Sequence, residues 1–158
     1  MMRLVVFSDS HGYRISLETA IKNEPDADAF VFLGDGLREW EDCQELIKNK
    51  ISVAVKGNCD GMFPPYPKKV VGKFGQITTY CTHGDNEQVK FSLEPLKLNA
   101  SLSEATLVLF GHTHTPYKEY DNGLYLFNPG SVKQNSYGIV DITENGIMCF
   151  HKKIIPQY

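Results

Sequence analysis

Five short segments of this sequence end apolar runs on residues that can bind metal: Ser8-Asp9-Ser10-His11, Gly34-Asp35-Gly36, Gly57-Asn58-Cys59-Asp60, Thr82-His83-Gly84-Asp85 and Gly111-His112-Thr113-His114. They supply Asp9, His11, Asp35, Asn58, His83, His112 and His114 as candidate metal ligands. Carboxylate, amide and imidazole are hard or borderline donors, and the mixture suits Mn²⁺, Fe, Ni²⁺ or Zn²⁺ better than a thiolate-selected site would. These seven groups exceed what one tetrahedral ion can use, whereas two divalent ions sharing a bridging carboxylate would use them all. A metal pair roughly 3.5–4 Å apart can clamp both the attacking and the leaving oxygen in phosphoryl displacement.

Each segment also has a plainer explanation by itself. Gly34-Asp35-Gly36 and Gly57-Asn58 are common turn sequences, Asp9-x-His11 occurs in many loops, and a single His83 after a strand is often a surface hydrogen-bonding residue. Gly111-His112-Thr113-His114 is more pointed, because extended backbone would aim both imidazoles the same way. It is the joint occurrence of the five that singles out a site. His151 falls inside a strand pattern and is left out. On composition, Asn128-Pro129-Gly130-Ser131 reads first as a turn, with a pocket-lining role as the alternative. Trp40, between Glu39 and Glu41, reads as a packing or oligomer contact.

The elements that must position these residues follow from the apolar pattern. Runs at 4–7, 29–33, 51–55, 77–81 and 106–110 are short, rich in Val, Phe and Leu, and bounded by turn residues, so they read as buried strands. Residues 15–23 and 39–50 carry helical spacing of apolar residues with polar outer faces. The chain therefore opens βαβαβ, which implies parallel pairing. Ligands bind beyond the carboxyl ends of such strands, where the five segments fall. From Lys68 the pattern becomes hairpin-like, with turns at Asp121-Asn122-Gly123 and Glu144-Asn145-Gly146, a tail hairpin of 137–141 and 146–155, and one helix at 87–98 whose end Pro95 blurs. A half of βα units followed by a half of hairpins suggests two sheets packed face to face with helices outside. The segment 57–67, with Pro64, Pro65 and Pro67, is expected to be a mobile loop.

Length and charge narrow the options further. A chain of 158 residues with 42% hydrophobic content can bury one ordinary core, so residues 1–158 are expected to form a single domain. Its net charge of −3 argues against strong nucleic-acid binding through a basic face. A phosphate-bearing substrate would need locally bound cations instead. Cys43, Cys59, Cys81 and Cys149 contain no CxxC pair, which points to reduced thiols. The first apolar run is too short for a signal peptide and no window resembles a membrane helix. A cytoplasmic protein with no membrane association is expected, and a homo-oligomer is left open.

Asp9-x-His11, Gly34-Asp35, Gly57-Asn58, His83-Gly84 and Gly111-His112-x-His114 resemble, in order and spacing, the signature blocks of the calcineurin-like metallophosphoesterases. Gly57-Asn58-Cys59-Asp60 and Asn128-Pro129-Gly130-Ser131 resemble the small single-domain bacterial and archaeal phosphodiesterase branch of that family. The resemblance implies an α/β fold, specifically an αββα sandwich of two mixed β-sheets flanked by helices. It implies two divalent metal ions, Mn²⁺ first among the candidates. One ion would be held by Asp9, His11 and His114 and the other by Asn58, His83 and His112, with Asp35 bridging. The implied activity is hydrolysis of small phosphodiesters by in-line attack of a metal-bound hydroxide, with Asn58 helping to stabilise charge on the phosphoryl oxygens.

Two positions depart from the larger family members. Cys59 stands where they carry a histidine that acts as general acid, and Arg38 stands where they carry an aspartate that orients it. The catalytic residues expected are therefore Asn58 and, in the acid position, Cys59. A non-catalytic metal-binding scaffold of the same fold is the alternative function, and the complete ligand set weighs against it. A dinucleotide-binding domain is set aside because no G-x-G-x-x-G follows the first strand.

Overall fold

In the computed structural model, which describes residues 1–62 and 65–155, the opening runs form the expected βαβαβ unit. Strands β1 (Met2–Phe7), β2 (Ala29–Phe32) and β3 (Ile51–Ala54) pair in parallel. They are linked through α1 (Arg14–Lys22) and α2 (Leu37–Asp42), and α2 is followed by a 3-10 turn at Gln44–Ile47. The run Leu4-Val5-Val6-Phe7 is wholly buried because both faces of this sheet are covered. Strand alternation divides the work. Val5, Phe7, Phe30 and Phe32 pack under the helices with Leu17, Leu37 and Trp40, while Leu4, Val6, Val31 and Leu33 face the other way.

What they face is a second sheet of β4 (Lys69–Phe74), β5 (Ile77–Thr82), β6 (Leu107–Leu109), β7 (Tyr117–Asp121) and β8 (Leu124–Asn128). Its order is β4-β5-β6-β8-β7, with β5, β6 and β8 parallel and antiparallel strands at both edges. Cys81, Leu107, Leu109 and Phe127 meet the first sheet in one core. On the outer face, Leu96 and Ala100 of α3 (Glu94–Leu102) cover Tyr80, Val108 and Leu126. The tail forms the expected hairpin, β9 (Ser136–Thr143) with β10 (Gly146–Lys153), and completes the first sheet in the order β10-β9-β1-β2-β3. The architecture is an αββα sandwich of two mixed sheets.

Several boundaries differ from the sequence expectation for identifiable reasons. The helix expected at 87–98 begins at Glu94, and Pro95 lies in its first turn, where a missing N–H costs nothing, rather than at its end. Glu87 is buried before it, accepting hydrogen bonds from the Tyr80 hydroxyl and Thr82 Oγ1, both at 3.0 Å. The helix expected at 39–50 is broken after Asp42 into a shorter helix and the 3-10 turn. Trp40 is only 1% exposed and stacks on Phe32 at 5.3 Å, so it is a packing residue and offers no surface to a partner. The loop expected to be mobile is tied down at its start by Asp60 and near its end by a Lys56 N–H bond to the Pro67 carbonyl at 2.8 Å. Its Phe63 and Pro64 lie outside the described residues. No described helix is long and apolar enough to cross a membrane.

Candidate metal centre

The carboxyl ends of β1, β2, β3, β5 and β6 open on one edge of the sandwich, and the loops leaving them bring all seven candidate ligands together. Asp9 and His11 follow β1, with the Asp9 N–H bonded to the Gly34 carbonyl at 2.9 Å and the His11 N–H to the Asp35 carbonyl at 3.0 Å. The first two loops are thereby laced side by side. His83 follows β5 and is completely buried, while Asn58 and Cys59 lie exposed at the rim. Gly57 is needed for a close approach: a Cβ there would sit 2.1 Å from Asp35 Oδ1 and 2.6 Å from the Asp35 backbone nitrogen.

Asp9, His11, Asp35, His112 and His114 all adopt positive φ, between 42° and 70°. Each such non-glycine residue costs on the order of 1 kcal/mol or more and persists only where its surroundings hold it. His112 and His114 therefore do not lie on extended backbone, the one condition under which their spacing would aim them the same way. His112 Nδ1 turns to His83 Nε2 at 3.1 Å, and His114 Nε2 turns to His11 Nε2 at 3.2 Å.

The donors fall into two groups. In the first, Asp9 Oδ1 lies 3.2 Å from His114 Nε2 and 3.5 Å from His11 Nε2. In the second, His83 Nε2 lies 3.1 Å from Asn58 Oδ1 and 3.1 Å from His112 Nδ1. Asp35 Oδ2 stands between them, 3.2 Å from His83 Nε2 and 3.7 Å from His11 Nε2. Two donors roughly 2.1 Å from one ion, at angles between octahedral and tetrahedral, would stand about 3.0–3.4 Å apart. The sets Asp9–His11–His114 and Asp35–His83–His112 each suit a divalent cation.

An unsatisfied atom supports the same fit. Asp9 Oδ2 accepts bonds from Ser8 Oγ at 2.6 Å and from the His112 N–H at 3.0 Å. Asp9 Oδ1, in contrast, is buried with no hydrogen-bond partner, the one such side-chain atom among the described residues. A buried carboxylate oxygen without a donor is costly, and a cation would satisfy it. His83 is oriented in the complementary sense: its Nδ1–H donates to the Leu33 carbonyl at 2.6 Å, so Nε2 is the ring nitrogen that faces the centre, free to ligate once it has lost its proton. Burial works against protonation of His83, but Asp35 and Asp9 outweigh it and raise its pKa. Burial likewise opposes ionisation of Asp35, yet the bond and charge of His83 and the Cys59 N–H hold it down at about 2.

Three supports were not singled out as such in the sequence. Asp60 accepts backbone N–H bonds from Asp35 at 2.8 Å, Gly36 at 2.9 Å, Leu37 at 3.0 Å and Gly57 at 2.7 Å, joining the second and third loops. Glu39 Oε2 accepts from Ser10 Oγ at 2.7 Å and from the Gly12 N–H at 3.0 Å, holding the loop that carries His11. The Asn128-Pro129-Gly130-Ser131 segment is buried and does more than turn the chain. Asn128 Nδ2 donates to the Gly111 carbonyl at 3.0 Å and Ser131 Oγ to the Asp9 carbonyl at 2.8 Å, so the segment braces two ligand loops from below. His151 stays outside the centre, stacked on Phe127 at 4.7 Å.

Comparison with known proteins gives the family. Residues 2–145 match the family model described as the calcineurin-like phosphoesterase superfamily domain, and the chain belongs to that metal-dependent family. It is 28% identical over 172 residues to Phosphodiesterase YfcE of Escherichia coli K12, covering 89% of this chain and 88% of the relative. The crystal structure of a predicted phosphoesterase from Streptococcus pneumoniae TIGR4 superposes with a TM-score of 0.77 at 26% identity, covering 96% of this chain and 98% of that one. Vps29 of Entamoeba histolytica, crystallised with zinc, shares the fold with a TM-score of 0.74 at 18% identity, covering 98% of this chain and 100% of that one.

Proposed function

We propose that this phosphoesterase is a phosphodiesterase that hydrolyses small phosphodiesters at a centre of two divalent metal ions, Mn²⁺ first among the candidates. The observation that carries the two-ion reading is the division of donors into two groups around Asp35 Oδ2, with the buried Asp9 Oδ1 otherwise unpartnered. Asp9, His11 and His114 would hold one ion and Asn58, His83 and His112 the other, with Asp35 shared. Bound there, the ions would supply Lewis acidity toward the phosphoryl oxygens and acidify water.

The chain's own residues set the rest of the chemistry. Asn58, exposed at the rim, can present its amide N–H to a phosphoryl oxygen while its Oδ1 faces His83 at 3.1 Å. Cys59 stands beside it, with its N–H on Asp35 Oδ1 at 2.7 Å. Burial, then the Asp35 charge, raises the Cys59 pKa and favours the thiol in the protein by itself. A thiol is a weak proton donor, so leaving groups that depart without strong acid assistance should be preferred. The choice of diesters is supported by the name of the YfcE relative, and small size by the net charge of −3, which offers no general attraction to a long polyanion.

The scaffold reading draws on the fold shared with Vps29, but the intact donor set here favours an enzyme. Hydrolysis of bis(4-nitrophenyl) phosphate, 4-nitrophenyl phosphate and cyclic nucleotides, with Mn²⁺, Ni²⁺, Zn²⁺ or Mg²⁺ added, separates the two. Diester turnover that needs added metal and stops with chelator is expected. Tight metal binding with no turnover of any ester would establish the scaffold instead.

A further inference from the structure

Beside the ligand groups lies a cavity of about 280 Å³ whose lining includes His11, Asp35, Cys59, Arg38, Glu39 and Asp60. The first three also form a cluster of possible metal donors, so the cavity is continuous with the centre. Its volume is at the small end of the roughly 300–1,000 Å³ typical of ligand pockets, which suits a sugar-phosphate-sized group. The decisive feature is its charge. Asp35 faces His11 and His83, Glu39 Oε2 is engaged by Ser10 and Gly12, and both oxygens of Asp60 are engaged by backbone N–H groups.

Arg38 alone among these is uncommitted. It is exposed on the first turn of α2 and makes no hydrogen bond or ion pair to any described residue. Its neighbours on the loop are held in place, since the N–H groups of Gly36 and Leu37 are fixed by Asp60 and Glu39 is buried. An arginine that lines a polar cavity and is carried on a fixed backbone is suited to bind a phosphoryl group through two parallel N–H bonds of its guanidinium.

We propose that Arg38 forms a subsite for a second phosphoryl group, so that the centre selects phosphodiesters carrying a further phosphate elsewhere in the molecule. This rests on the phosphodiesterase reading above. The subsite accounts for an arginine three residues after the bridging position: it confers selectivity for the substrate's remote anion and takes no part in bond breaking.

The test compares thymidine 5′-(4-nitrophenyl phosphate) with the same ester bearing a 3′-phosphate, in the parent, Arg38→Ala and Arg38→Lys, all loaded with Mn²⁺. The parent should show a KM about fivefold lower for the 3′-phosphorylated ester. In Arg38→Ala that ratio should fall to about one, with kcat for the two esters still in the parent's proportion, and Arg38→Lys should keep part of it. Calorimetric titration with thymidine 3′,5′-bisphosphate and thymidine 5′-phosphate reads the same subsite without turnover. If neither ester is hydrolysed, the activity assignment fails, and the subsite stands or falls on this titration. A parental preference for the bisphosphate that Arg38→Ala abolishes supports it. No preference in the parent, or one that survives Arg38→Ala, overturns it.

Discussion

Replacing Asp60 by asparagine should loosen the candidate metal centre although Asp60 is not among the seven donors. Its carboxylate accepts four backbone N–H bonds of 2.7–3.0 Å, with Oδ2 serving Asp35 and Gly57 and Oδ1 serving Gly36 and Leu37. An asparagine amide can accept at only one of these ends, so its NH₂ must oppose two of the N–H groups. Bonds to a charged group contribute about 1.5–3 kcal/mol each, and a lost pair in the dry interior would cost about 3–6 kcal/mol. Asp60 is only half-buried and water can replace part of the loss, which brings the expected cost to about 3 kcal/mol. For a chain of this length that lowers Tm by about 6–12 °C. The freed groups belong to the loops presenting Asp35 and Asn58, so Mn²⁺ affinity should also fall by roughly 10- to 100-fold, as when other supports of metal ligands are removed. Differential scanning calorimetry with chelator present reads the first effect, and Mn²⁺ titration at a temperature where the variant is folded reads the second. A Tm within 2 °C of the parent together with unchanged Mn²⁺ affinity would refute the idea that Asp60 ties the loops together.

Two further substitutions separate the chemistry from the packing. If Cys59 occupies the acid position, Cys59→His should speed hydrolysis of an alkyl diester with a poor leaving group more than that of a nitrophenyl diester, whereas Cys59→Ala should not; equal effects on both substrates would remove Cys59 from the leaving-group path. Trp40→Ala deletes a side chain that is 1% exposed and stacked on Phe32, and should destabilise the fold by about 3–5 kcal/mol while leaving the number of bound metal ions unchanged, as measured by thermal unfolding and metal analysis.

The parts legible in the sequence are those set by local pattern. The run from Leu4 to Phe7 is apolar because both of its faces are covered, so its strand could be read without knowing what covers it. The donors were legible because each closes such a run. Features that depend on distant partners were not legible. Glu87 lies within a helical pattern but is captured by Tyr80 and Thr82 before a helix can start. Asp60 belongs to a block that the family resemblance marks and Glu39 looks like an ordinary helix residue, but only folding shows that their carboxylates hold neighbouring loops. The positive φ of His112 and His114 is likewise imposed by tertiary packing, and it sends two imidazoles of one short segment to opposite sides of the centre. Their spacing gives a shared direction only on extended backbone, and the sequence does not say whether the backbone is extended there.

A pair of metal ions sharing Asp35 would show itself in the metal stoichiometry. The purified protein, stripped with chelator and titrated with Mn²⁺, should bind two equivalents. Asn58→Ala should lose or weaken one of them, since only one donor group contains Asn58. Asp35→Asn removes the charge shared by both groups and should weaken both, while circular dichroism shows the fold retained. A single equivalent in the parent, or two equivalents of parental affinity in Asp35→Asn, would contradict the dinuclear centre.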